Sequence, residues 1–226
     1  MTIYEDNIPK ELINVPNWVG WREVNLKGKL SKIPIDATTG RWAKVNDPST
    51  WSSFKDAVDI YIRREVDGIG FVFSKHDDFI GVDLDDCLDE KGELTVKARR
   101  IFNVLESYTE ISPSGKGLHI IVKSFNKTAI PGIRRKGIEI YPTGRFFTIT
   151  SNLFKGSKKA IAERHLEIAF YVGELVDIPP SVKKIPANIK SCPLCFKFER
   201  TGTHAKACAR HPEYAKTYGA EKWTRL

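Results

Sequence analysis

Two carboxylates one residue apart, Asp83 and Asp85, lie in the stretch FIGVDLDD, Phe79–Asp86, which is otherwise apolar or glycine as far as Leu84. Alternate residues of a strand share a face, so the two acids would project together, with Val82 and Leu84 on the other side. Carboxylates so close raise each other's pKa unless a cation sits between them. A hard divalent ion such as Mg²⁺ takes one or two carboxylates plus substrate phosphates. The pattern therefore reads as a metal seat. It is also what a strand ending at Asp83 looks like when Asp85, Asp86 and Asp89 belong to a solvated loop.

Two further stretches carry chemistry. SPSGKGLHIIVK, Ser112–Lys123, is a Ser-Gly-Lys-Gly turn that opens into a strand. Its glycines permit close approach and its amides can face an anion. Lys116 adds positive charge, and His119 follows the turn where it could touch a phosphate, although a strand histidine can equally be a hydrogen-bonded structural residue. GIEIYPTGRFFTIT, Gly137–Thr150, places Glu139 between two isoleucines and Arg145 after a Pro-Thr-Gly turn. Glu139 either faces solvent or joins Asp83 and Asp85 as the third carboxylate of a two-metal cradle. Arg145 could clamp a phosphate bidentately or pair with a surface acid.

The C-terminal stretch holds a second constellation. Cys192 and Cys195 have the two-residue gap that lets two thiolates close on one Zn²⁺. His204 and Cys208 complete C-x2-C-x8-H-x3-C; Cys208 and His211 would instead complete C-x2-C-x12-C-x2-H. The first set, Cys192, Cys195, His204 and Cys208, is preferred, with His211 as substitute. Lys197, Arg200, Lys206 and Arg210 alternate with Phe196, Phe198 and Tyr214, a composition suited to backbone contact and base stacking. From Ile178 onward there are ten basic and three acidic residues, a net +7, whereas the first 177 residues hold 26 basic and 25 acidic. A near-neutral body with a basic tail points to a polyanionic partner.

The elements that must position these residues form one α/β body, residues 1–176, followed by a proline-rich linker at 177–190 and the tail at 191–226. Trp18–Val24 and Leu30–Asp36 read as a hairpin about Lys27–Lys29. Gly68–Ser74 and Phe79–Asp85 read as strands paired around Lys75–Asp78. YTEIS, LHIIVK, IEIY and RFFTIT are four more strands. A first helix would bury Trp51, Phe54, Val58 and Tyr61 or Ile62. A second would bury Leu94, Ala98, Ile101, Val104 and Leu105. Ser157–Leu175 reads as a closing helix. Cys87 reads as buried or incidental. No apolar run reaches about 18 residues and the start lacks a signal layout, so the expectation is a cytoplasmic protein without a membrane partner.

The order hydrophobic-Asp-hydrophobic-Asp, then S-x-G-x-G-x-H, then hydrophobic-Glu-hydrophobic resembles the three motifs of the archaeo-eukaryotic primase superfamily. YTEISPSGKGLHIIV, KIPID and GRFFTIT resemble in particular the primase-polymerase domains of phages, plasmids and other mobile elements, over roughly Trp18 to Thr150. The resemblance implies an antiparallel sheet with helices behind it and a catalytic half like an RNA-recognition fold. It implies Mg²⁺ or Mn²⁺ on Asp83, Asp85 and Glu139, and an incoming NTP or dNTP held by His119, Ser114 and Lys116. Lys32 and Arg145 match positions that look like triphosphate contacts in relatives. The activity it implies is primer synthesis and extension on a single-stranded DNA template, with a zinc module in the tail and a helicase domain or protein as partner. The rivals are a nuclease or a Toprim-type primase, and a non-catalytic origin- or template-binding module. Toprim proteins put their lone Glu before the Asp pair, whereas Glu139 follows it.

Overall fold

Lys27 and Gly28 close a two-residue turn. On either side β1 (Trp18–Leu26) and β2 (Lys29–Ile35) pair antiparallel, in register from Leu26↔Lys29 to Gly20↔Ile35, as the sequence predicts. The computed structural model describes residues 2–135 and 137–169, nearly all within the first of the chain's two units, Met1–His165. The linker, Cys192, Cys195, His204, Cys208 and His211 lie outside the described residues.

Seven further strands follow: β3 (Gly68–Phe73), β4 (Phe79–Leu84), β5 (Tyr108–Ile111), β6 (Leu118–Lys123), β7 (Ile133–Arg135), β8 (Ile138–Tyr141) and β9 (Arg145–Ile149). They form two sheets, β2-β1-β3-β9 and β5-β6-β4-β8-β7, and every pairing is antiparallel. β3 and β4 therefore do not pair with each other, contrary to the hairpin expected around Lys75–Asp78. The segment between them is a transfer from one sheet to the other, organised by one buried acid. Asp77 accepts from the backbone N–H groups of Ser74 (2.8 Å) and Phe79 (2.9 Å), from Asn17 Nδ2 (2.9 Å) and from Lys127 Nζ (2.6 Å). Four donors on one carboxylate fix the chain reversal without a ladder between the strands it joins.

The helices are shorter than their apolar patterns suggest. A further helix that the sequence pattern does not anticipate, α1 (Lys10–Ile13), is a single turn whose Leu12 carbonyl accepts the Trp18 indole N–H at 3.0 Å. In α2 (Phe54–Ile62), Ser53 caps the N-terminus and Asp56 returns the bond, so the helix begins after Trp51, which falls outside it. Its buried face is Phe54, Ala57, Val58 and Ile60, while Ile62 is exposed. In α3 (Val96–Leu105), Thr95 caps the N-terminus; Ala98, Ile101 and Leu105 are buried, Leu94 is buried but precedes the helix, and Val104, expected inside, is exposed. The expected helix from Ser157 is absent as far as Arg164, because this stretch is extended and makes parallel bridges Tyr108↔Lys158 and Lys123↔Glu163; helix begins only at His165. Pairing with strand backbone outweighs helical propensity there.

An aromatic core lies between the sheets. Trp18 meets Phe54 and Phe71 edge to face at 4.8 and 5.4 Å, Phe71 meets Phe73 and Phe79 at 5.7 Å, and Phe73 meets Phe147 at 4.9 Å. Such pairs add about 0.5–1.5 kcal/mol each beyond area burial. Gly81 on β4 makes room for the last of them: a Cβ there would lie 2.5 Å from the Phe73 ring and 2.6 Å from the Phe147 ring. No helix among the described residues is long and apolar enough to cross a membrane.

Candidate active site

The cross-strand register assembles the site. On the five-stranded sheet Asp83 of β4 is directly opposite His119 of β6 on one side and Glu139 of β8 on the other. His119 is in turn opposite Glu110 of β5, and Glu139 opposite Arg134 of β7. Directly opposed residues share a face. Glu110, His119, Asp83, Glu139 and Arg134 thus form one row across all five strands. Three of the residues singled out in the sequence, Asp83, His119 and Glu139, are neighbours at its centre.

Each member is held differently. His119 is buried and presents Nε2 to Asp83 Oδ1 at 3.9 Å. Its Nδ1 lies 3.1 Å from the Thr148 carbonyl of β9 and 3.3 Å from Glu110 Oε1, and its ring stacks on Phe147 at 4.6 Å. Asp83 is mostly buried, with 20% of its side chain exposed. Burial pushes its pKa above the usual carboxylate value; Asp85 and Glu139 push in the same direction, while His119 and Arg145 oppose them. Glu139 accepts from the Tyr141 phenol, which accepts in turn from Arg134 Nε at 3.0 Å. Burial first, and the bond to Glu139 second, raise the Tyr141 pKa and keep it a donor.

Asp85 departs from expectation. β4 ends at Leu84, opposite Leu118, and Asp85 is an exposed turn residue rather than a second strand position. The chain turns because the opposing strand stops: Gly117 packs so tightly that a Cβ would meet the Leu84 carbonyl at 2.6 Å. Asp85 still contributes to the field at Asp83, so it borders the site from the strand end. The predicted Ser-Gly-Lys-Gly turn is present, and Ser114 stabilises it by accepting the Lys116 N–H at 3.2 Å. Ser114 and Lys116 are exposed, and among the described residues no hydrogen bond or ion pair joins them to Asp83, His119 or Glu139.

Two cations approach from the other sheet. Lys32 of β2 places Nζ 5.4 Å from the Trp21 ring centroid. Desolvation of its ammonium lowers its pKa, although the residue as a whole is exposed, and Glu23 and Asp83 pull the other way. Arg145 opens β9 and lies over the Tyr141 ring with its guanidinium carbon 5.1 Å from the centroid. Cys87 is buried and its thiol is pushed up to about 11 by burial, so it is an inert packing residue.

Among the described residues, no three His, Cys, Asp or Glu side chains are gathered closely enough to enclose a metal ion. The donor chemistry nonetheless suits a hard divalent cation. Asp83 carries a burial cost that a cation would relieve, and Glu139 and Asp85, whose charges both act on Asp83, bring further oxygen donors. The face thus combines acids at its centre with Lys32, His119 and Arg145 around them, an arrangement able to hold a polyphosphate by its charge. No local signal in the sequence marks Glu110, Tyr141 or Thr148 as site residues. Counting outward from the Pro113–Lys116 turn would have found the first, because it sets Ser112 opposite Gly117, Ile111 opposite Leu118 and Glu110 opposite His119.

No protein-family model matches the chain. The chain is similar to a DNA primase-polymerase of Nitratiruptor phage NrS-1, 34% identical over 187 residues that cover 80% of this chain and 25% of that relative. It therefore spans about a quarter of the length of the curated relative it matches.

Proposed function

We propose that this chain, which carries a domain of the phage-type primase-polymerase family, is a template-directed nucleotidyltransferase that synthesises and extends primers on single-stranded DNA. The observation that carries the reading is the direct cross-strand placement of His119, Asp83 and Glu139 on three adjacent strands, with Asp83 held above the ordinary carboxylate range. Phosphoryl transfer asks the protein chiefly for positioning and charge stabilisation, and this face supplies both.

Asp83, Glu139 and Asp85 would hold Mg²⁺ or Mn²⁺. When bound, such an ion supplies Lewis-acid activation of a primer 3′-hydroxyl and charge neutralisation at the triphosphate. The remaining work belongs to side chains. His119 presents Nε2 at the edge of the acidic centre to a phosphate oxygen of the incoming nucleotide. Lys32 and Arg145 bring positive charge from the opposite sheet, and the Ser114–Lys116 turn offers a third cation at the open end. Tyr141 and Arg134 fix the Glu139 carboxylate. The basic tail, with Cys192, Cys195, His204 and Cys208 on Zn²⁺, would grip template or initiating nucleotide, and a helicase would supply the unwound strand.

The test is incubation with single-stranded DNA, labelled NTPs or dNTPs and Mg²⁺ or Mn²⁺. It compares the whole chain, D83A and E139A variants, and a chain ending at residue 177. Expected are oligonucleotides made without a primer, lost in both variants while DNA binding persists, and a larger loss of priming than of extension on truncation. DNA binding without product in the unaltered protein would establish a binding module instead, and shortened template a nuclease.

A further inference from the structure

Glu110 is wholly buried, a costly place for a carboxylate unless its oxygens are satisfied. Oε1 accepts the Thr150 N–H at 3.0 Å, and Oε2 accepts the Ser151 N–H at 2.9 Å and the Tyr108 O–H at 2.8 Å. Every one of these neighbours is a donor. The remaining contact is His119 Nδ1, 3.3 Å from Oε1. That nitrogen also faces the Thr148 carbonyl at 3.1 Å. A carbonyl oxygen can only accept, so Nδ1 carries a hydrogen and Nε2 is the nitrogen turned to Asp83.

We propose that Glu110 is the positioning residue of the site: with the Thr148 carbonyl it keeps a hydrogen on His119 Nδ1 and fixes the ring so that Nε2, which must also carry a hydrogen to bond a phosphate oxygen, points to the place the nucleotide phosphates occupy. The second clause rests on the nucleotidyl-transfer reading; the first does not. Phe147 sets the plane of the imidazole by stacking, but a half turn about the Cβ–Cγ bond returns the ring to that same plane with its atoms exchanged. Such a rotation would carry Nε2 away from Asp83 and put carbon where Nδ1 now donates. Two acceptors on one side of the ring forbid it. The same carboxylate fastens the backbone after β9 to β5 through Thr150 and Ser151, so one residue couples the ring's orientation to the seam between the sheets.

Gln in place of Glu110 keeps the shape. It also turns an amide NH₂ toward donors on at least one side, and the His119 side is where the contact is longest. Isotope-edited NMR of the imidazole nitrogens in the full chain reads the outcome without any substrate. The unaltered protein is expected to show Nδ1 protonated, and E110Q to lose that uniform Nδ1 signal. In nucleotide titrations E110Q is expected to raise the nucleotide KM about tenfold, by analogy with the loss of a partner that orients a metal-ligating histidine, with single-stranded DNA affinity unchanged. Y108F removes another donor from the same carboxylate without touching His119. It is expected to lower the melting temperature while leaving the nitrogen spectrum and KM alone, which separates orientation from stability. E110D, which keeps the charge but withdraws it by one methylene, takes the place of E110Q should that variant not fold. A bare Nδ1 in the unaltered protein, or an unchanged spectrum and KM in E110Q, would overturn the proposal. If the unaltered protein incorporates no nucleotide, the functional reading fails, and the nitrogen spectra still decide the role of Glu110.

Discussion

Replacing Asp83 by Asn removes one charge from the centre of the row with little change of shape. Its pKa is raised by burial first, with Asp85 and Glu139 adding to the rise. Direct opposition of Asp83 and Glu139 brings their Cβ atoms to about 5 Å. Two like charges about 5.5 Å apart repel by about 3 kcal/mol at an effective dielectric of about 20, and by about 1 kcal/mol at about 60, which brackets a half-open face. An acid with a raised folded pKa stabilises the fold only while protonated. Its contribution is complete below the unfolded value near 3.9 and is lost as pH rises through the raised one. At pH 7 the wild-type charge therefore opposes folding, and D83N escapes that cost. For a domain of this size each kcal/mol moves the melting temperature by about 2–4 °C, so D83N should melt roughly 2–12 °C higher at pH 7. The gap should close as pH falls toward 4. Mn²⁺ at a hundred times its Kd would add about 2.7 kcal/mol to the wild type and little to D83N, which closes the gap and over most of that range reverses the order. Thermal melts by circular dichroism between pH 4 and 8, with and without Mn²⁺, make the comparison. A D83N protein that melts below wild type at pH 7 without metal, or an equal Mn²⁺ response in both, would refute the reasoning.

Two further predictions concern the scaffold. Asp77→Ala strands the Lys127 ammonium, whose side chain is 5% exposed, and removes the partner of two backbone donors; a loss of about 3–5 kcal/mol in urea unfolding is expected. Gly81→Ala drives a methyl into the Phe73 and Phe147 rings and should cost about 1–3 kcal/mol. Because Phe147 is the stacking partner of His119, the nucleotide KM of Gly81→Ala should rise as well, a double effect that an ordinary core substitution would lack.

Local pattern was enough to place Asp83, His119 and Glu139 on strands, because period-two alternation depends on nothing beyond the strand itself. It was not enough to pair those strands. Gly68–Ser74 and Phe79–Asp85 are both apolar and adjacent, and a hairpin is the economical reading. The side chains of Asn17 and Lys127, distant in sequence, satisfy Asp77 and send the two strands into different sheets. Asp85 looked equivalent to Asp83 because alternation continues through it; the strand stops earlier for want of a partner beyond Leu118. Trp51 keeps helical spacing with Phe54 and Val58, yet Ser53 and Asp56 cap the helix after it. Nothing local marks Glu110, because an acid in YTEIS resembles any solvent-facing strand residue until its neighbour across the turn is identified as His119.

The five-residue row imposes a rule of parity on descent. Adding or deleting one residue inside any of the five strands would turn that strand's member of the row to the opposite face. Loss or gain of residues in the intervening segments, such as Asp86–Thr95 between β4 and α3, leaves every member where it is. Lineages that keep this chemistry are thus free to drift in loop length but not in strand phase. An alignment of such lineages should carry its gaps between the strands, with the columns of Glu110, His119, Asp83, Glu139 and Arg134 unbroken.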